Sequence, residues 1–112
     1  MSIPWAVTPE KIDAAIQTIV RMEHPRKVIL FGSAAKGTTN LHSDVDLLVV
    51  TGRDIQSPRR ESIRIRRALR GITMPMDVLV ISEQRLGALQ DQPGLIYGEV
   101  VRHGKVVYEA AK

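Results

Sequence analysis

Apolar residues recur along the chain in short blocks whose spacing switches between the helical and the extended period. Ile12, Ala15, Ile16, Ile19 and Val20 fall at helical spacing and make one stripe along a helix. Thr8-Pro9-Glu10 supplies its start: a hydroxyl for the N-cap, a proline in the first turn and a carboxylate facing the positive end of the helix dipole. His24-Pro25 ends it, because proline disfavours a helical predecessor. Val28-Ile29-Leu30-Phe31 is a solid apolar run stopped by Gly32, which predicts a buried strand. A polar stretch from Ser33 to Ser43 leads to a second strand, Val45 to Val50. Ser57-Pro58 opens a second helix that runs to about Leu69 and is closed by Gly71. On it, Ile65, Ala68 and Leu69 share an arc of about 100° and form the predicted buried side, while the arginines and Ile63 spread over the other side. Met76 to Ile81 is a third strand, and Ser82-Glu83 starts a short helix. Pro93-Gly94 breaks that helix before another piece around Leu95 to Val101, and Lys105 to Tyr108 follows Gly104 as a final edge strand. This order predicts a small α/β (α+β) sheet packed by helices.

Length and composition bound the picture. The 112 residues are expected to form a single domain, residues 1–112. Apolar residues make up 44% and charged residues 25%, close to the soluble average, which excludes a disordered, collagenous or coiled-coil chain. The longest apolar run is about five residues, far short of the roughly 18 that span a bilayer. Met1-Ser2-Ile3-Pro4-Trp5 has neither a basic start nor a long apolar stretch, so no signal peptide is expected. The absence of cysteine excludes disulfides, cysteine-ligated zinc and a thiol nucleophile. A cytoplasmic protein without membrane contact is expected.

Charge changes the picture in one place. Between Pro58 and Arg70 lie six arginines and one glutamate, a local charge of +5 against +4 for the whole chain. The pI of 9.9 is therefore the property of one helix, and the rest of the chain carries −1. That face fits a solvated helix surface, a docking surface for an acidic partner or a nucleic-acid patch. The last ranks lowest, since none of the four aromatic residues, Trp5, Phe31, Tyr97 and Tyr108, interleaves with the arginines. His24, His42 and His103 show no ligand spacing, although His42 lies near Asp44 in the sequence.

Three aspartates carry the candidate chemistry. Asp44 and Asp46 flank Val45, and residues two apart in a strand point to the same face. Two carboxylates there repel each other and lose hydration unless a cation holds them. Asp77 enters another apolar strand in the same way. An isolated Asp-x-Asp also fits a turn or a cap, but here four apolar strand residues follow. Three carboxylates on neighbouring strands make a hard-oxygen site suited to Mg²⁺ and substrate phosphates. A pair of such ions stabilises attacking and leaving oxygens in phosphoryl or nucleotidyl transfer. Upstream, Gly32 lets backbone N–H groups approach a phosphate, and Ser33 offers a hydroxyl donor at the same point.

Phe31-Gly32-Ser33, ten residues, then Asp44-Val45-Asp46-Leu47, with Asp77 on a later strand, resembles the DNA polymerase beta-like nucleotidyltransferase superfamily. The short chain and the ending Arg102-His103-Gly104-Lys105-Val106-Val107-Tyr108-Glu109 look like its minimal nucleotidyltransferases, the MNT antitoxin group. The resemblance covers about Lys27 to Glu109. It implies a mixed sheet carrying all three aspartates and transfer of a nucleoside monophosphate from a triphosphate with Mg²⁺. Carried over by position, Asp44 and Asp46 bind metal. Asp77 binds the catalytic metal and helps deprotonate the acceptor hydroxyl, and Gly32 and Ser33 hold the β- and γ-phosphates. Relatives often carry arginine where this chain has Ala34 and Lys36; Lys36 keeps a cation for the phosphates and Ala34 removes one.

In the antitoxin group the partner is typically a HEPN-domain ribonuclease toxin, silenced by AMP attached to a tyrosine near its active site. The resemblance therefore implies a Mg²⁺-dependent enzyme, with two ions, moving AMP from ATP to a protein hydroxyl. A non-catalytic antitoxin that neutralises its partner by binding is the alternative. Transfer to a small molecule such as an aminoglycoside ranks third, because such enzymes usually carry an added helical domain.

Overall fold

Thr8 caps the first helix, α1 (Pro9–Glu23), its hydroxyl accepting from the Lys11 N–H at 3.2 Å. At the other end His24 turns into the left-handed region (φ 48°) and returns its N–H to the Val20 carbonyl, so the chain reverses before buried Pro25. Ala15 and Ile19 of the predicted stripe are fully buried, and Ile12 packs beside them. The computed structural model describes residues 6–32 and 44–111; of the residues named above, Trp5, Ser33, Ala34, Lys36 and His42 lie outside them.

After α1 come β1 (Lys27–Phe31), β2 (Val45–Thr51), α2 (Pro58–Ala68), β3 (Met76–Ser82), α3 (Glu83–Leu89), α4 (Ile96–His103) and β4 (Lys105–Glu109). The four strands form one mixed sheet in the order β3-β2-β1-β4. β1 is antiparallel to both β2 and β4, whereas β2 and β3 are parallel. A parallel pair needs a crossover, and α2 supplies it. The β1–β4 ladder shifts register between Val28 and Ile29. Among the described residues this is a mixed sheet, as the resemblance implied, with the four strands and four helices read from the sequence pattern and β4 on an edge as predicted; Asp44, expected on the sheet, precedes β2.

Alternation along the strands sends side chains to two cores. Val45, Leu47 and Val49 of β2 face α1 and α2, packing with Ile19, Ile65 and Leu69. Leu48 and Val50 face the opposite way, toward Leu86 of α3 and Val100 of α4. The central strand is thus covered on both faces, which explains its unbroken apolar run. One expectation is corrected: Ala68 is exposed, while Ile65 and Leu69 alone of that trio are buried. Ser62, which bonds to β3, lies on the Leu69 side of Ile65, while Ala68 lies about 60° to the other side, at the edge of the arc turned away from the sheet.

Two contacts fix α2 in place. The Ser62 hydroxyl donates to the Val78 carbonyl of β3 at 2.5 Å. The Glu23 carboxylate, its side chain wholly buried at the end of α1, accepts from Arg64 at 2.8 Å and from Arg53 at 3.2 Å. Glu61 joins them 3.2 Å from Arg64. Burial pushes the Glu23 carboxyl above the ordinary range, whereas hydrogen bonding to Glu23 and Arg64 holds Glu61 below it. No helix among the described residues is long and apolar enough to cross a membrane.

Candidate functional site

Asp46 is the second residue of β2 and Asp77 the second of β3, and they are direct register partners in the parallel ladder. Parallel partners point to the same face from strands roughly 4.8 Å apart, so the two carboxylates stand side by side. On the other flank, Asp46 is the register partner of Phe31 at the end of β1. The chain then reaches Gly32 with φ at 75°, a conformation that favours glycine. A Cβ on Gly32 would collide with Oδ2 of Asp46. The glycine therefore does two things: it turns the chain into the following segment and leaves the room that the Asp46 carboxylate occupies.

The electrostatics match this crowding. The Asp46 carboxyl is pushed above the usual aspartate range, first by burial, then by the neighbouring charge of Asp77 and next by that of Asp44. Among the described residues no cation is paired with any of the three aspartates. Asp44 is exposed and sits just before β2 begins. Strand alternation does not reach it, and it lines a cleft of about 360 Å³ on the α2 side with Arg66, Arg70 and Met76. The three aspartates share one end of the sheet. Among the described residues, however, no three acidic or histidine side chains are gathered closely enough to hold a metal ion by themselves.

The donor set nonetheless fits a hard divalent cation. Among the described residues the adjacent carboxylates have no basic partner, and magnesium takes one or two protein carboxylates and completes its shell with water and substrate phosphate. Asp46 with Asp77, and Asp44 beside them, offer that number of oxygens. Ser33 and Lys36, expected on the phosphates, lie outside the described residues.

A second cleft, of about 270 Å³, opens beside Asp46 between the end of β1 and α4, and Glu99 and His103 line it together with Phe31, Gly32 and Gly104. Sequence reasoning did not name Glu99, and it gave His103 no role in the site. They stand four residues apart on one face of α4, and only the pairing of β4 with β1 carries that face to the site. Bare Gly104 makes this possible, since a Cβ there would strike Ile29 and the Val100 carbonyl. The sequence signal was His103-Gly104 directly before the last strand. His24, by contrast, is a helix cap, and Tyr97 and Tyr108 pack on the two cores.

Comparisons with known proteins bear on the family and the fold. The family described as "Polymerase beta, Nucleotidyltransferase" matches residues 13–112. Among solved structures, a "putative nucleotidyltransferase" from Sulfolobus solfataricus is similar, at 18% identity and a TM-score of 0.51. The match covers 92% of this chain and 90% of that one, a likeness of fold. No curated protein sequence matches the chain.

Proposed function

The chain belongs to the polymerase beta nucleotidyltransferase family, and on that premise we propose that it moves AMP from ATP to a protein hydroxyl, a tyrosine of a HEPN-type toxin for which it is the antitoxin. The observation that carries the reading is the side-by-side placement of Asp46 and Asp77 beside the bare backbone of Gly32. Asp44, Asp46 and Asp77 are the residues that hold Mg²⁺. The bound ions supply charge neutralisation at the transferring phosphoryl group and its leaving oxygen.

The chain's own residues divide the remaining work. Gly32 and Ser33 hold the β- and γ-phosphates in this reading, with Lys36 adding a cation. The acceptor oxygen bonds to the α-phosphorus as the bond from that phosphorus to the α–β bridging oxygen breaks. Pyrophosphate leaves with the electron pair. The hydroxyl proton passes to a carboxylate oxygen of Asp77, which is exposed at the sheet end and so reachable by a group on another molecule.

Intact mass of the protein and a HEPN-domain partner, incubated with ATP and Mg²⁺, tests this. The expected result is a gain of one adenylyl group, or multiples of it, on the partner, and loss of that gain with Asp46→Asn. A tight complex that forms without any gain would overturn transfer and leave neutralisation by binding.

A further inference from the structure

Of the six arginines between Arg59 and Arg70, Arg64 alone is used within the fold, paired with Glu23 and Glu61. Arg59, Arg60, Arg66, Arg67 and Arg70 are exposed and form no ion pair among the described residues. Three of them do not simply fan into solvent. Arg66 and Arg70 line the cleft that reaches Asp44, over an apolar floor that includes Leu69, Ile72 and Met74. The same two arginines, with Arg67 and Ile63, line a second groove of about 310 Å³ on the outer side of α2. Arg66 and Arg70 line both depressions, so the two lie to either side of these side chains and together make a basic path around the helix end, between Ile63 and Asp44. Ile63 is 40% exposed, an aliphatic side chain set among guanidinium groups.

The position matters as much as the charge. α2 packs on β3 through Ser62 and Val78, and β3 is the edge strand that carries Asp77. The path ends at Asp44 and Met76, the chain neighbours of the Asp46–Asp77 pair, so it meets the site at the strand ends, although Asp77 itself projects to the face away from α2, the one opposite Val78.

We propose that this basic path around α2 is the docking surface for an acidic polypeptide segment of the acceptor protein, which guides the acceptor hydroxyl to Asp77. This deepens the transfer reading and rests on it for the identity of the molecule that docks. Guanidinium groups hold carboxylates in two-point contacts, and the aliphatic floor and Ile63 suit the side chains between them. A nucleic acid fits less well. Base-stacking platforms are aromatic, and neither groove is lined by an aromatic residue. The chain outside residues 58–70 is net negative, which breaks any basic track across the molecule.

The test uses the full 112-residue protein and three fluorescent probes: a Glu/Asp-rich peptide containing one tyrosine, a neutral peptide with the same tyrosine, and a single-stranded RNA of equal charge. Anisotropy should show binding of the acidic peptide that weakens steeply with salt and falls at least about tenfold in Arg66→Glu/Arg70→Glu. Arg66→Gln/Arg70→Gln should fall in the same direction, which separates lost docking from a folding defect when melting curves are compared. Arg59→Gln/Arg60→Gln, off the path, should weaken binding much less. With ATP and Mg²⁺, the acidic peptide should be modified at lower KM than the neutral one, and the groove variants should raise KM without lowering kcat. Equal losses in the Arg59/Arg60 and Arg66/Arg70 variants would show diffuse charge attraction and overturn the proposal. Tighter binding of the RNA would overturn it in favour of a nucleic-acid surface. Arginine-dependent binding of the acidic peptide without modification of either peptide would uphold the docking surface and overturn transfer.

Discussion

Asp46 is the most constrained residue of the site. It is wedged between Asp77 in its own ladder and the bare Cα of Gly32, and burial and like charge raise its carboxyl above the usual range. A carboxyl whose folded-state pKa lies above its unfolded one favours the fold while protonated, and that contribution disappears as pH rises through the folded value. Asp46→Asn is therefore expected to raise the melting temperature at pH 7 to 8 while abolishing transfer. The gain should shrink as pH falls through the raised folded-state value, where the wild-type carboxyl becomes protonated too; thermal melts across pH in metal-free buffer check the sign, and a wild type more stable at every pH would contradict it. Gly32→Ala places a side chain in the left-handed region and into Asp46. It should cost about 1–3 kcal/mol by denaturant titration and reduce transfer even under conditions where the fold is intact. These residues were legible in the sequence because they break the pattern around them: two acids in apolar strands and a glycine ending one. Glu99 and His103 break nothing locally, and so their place beside Asp46 becomes visible only once β4 is laid against β1.

At the level of elements, the helices are set by their caps, and these were the most readable features. Thr8, Ser57 and Ser82 each accept an N–H three residues on, the local geometry that a Ser/Thr preceding a helical pattern predicts. Ser57→Ala should cost about 1 kcal/mol and loosen the start of α2, measurable as faster amide exchange at Arg60. What joins one helix to another was not readable. Glu23 and Arg64 are 41 residues apart in the chain and meet because α1 and α2 lie on the same face of the sheet. Removing the Glu23 carboxylate leaves Arg53 and Arg64 with Glu61 alone. Since both arginines are about half exposed, Glu23→Ala should cost about 1–2 kcal/mol rather than the full penalty of a buried pair. Urea unfolding measures it, and Glu23→Gln, which keeps the volume and a hydrogen-bonding group, should cost less. The misassigned Ala68 has the same origin as the hidden pair: periodicity gives the width of an apolar arc but not which of its edges meets the sheet, and in α2 that is the edge of Leu69 and Ser62.

For the molecule as a whole, the two cores are not separate units, because successive residues of β2 serve them in turn. Leu47 belongs to one and Leu48 to the other, and neither can melt without the strand they share. The amides of Leu47 and Leu48 should therefore exchange at the same upper limit of protection, equal to the global unfolding free energy; a lower limit for Leu48 alone would mean that the α3–α4 face opens by itself. The register that links these cores has a further consequence for how the protein tolerates change in length. Asp46 and Asp77 are opposed within a run of seven paired residues, from Val45 with Met76 to Thr51 with Ser82, while the connection between the strands passes through loops on either side of α2. Residues added to those loops leave the opposed pair where it is. A single residue added between Leu47 and Val50 would invert every side chain on one side of the insertion, pushing core residues into water or the carboxylate away from its neighbour. The turns flanking α2 are thus the natural place for new sequence to be inserted, and a lineage or an engineer could exchange what the crossover presents to the outside while the pair of acids keeps its spacing.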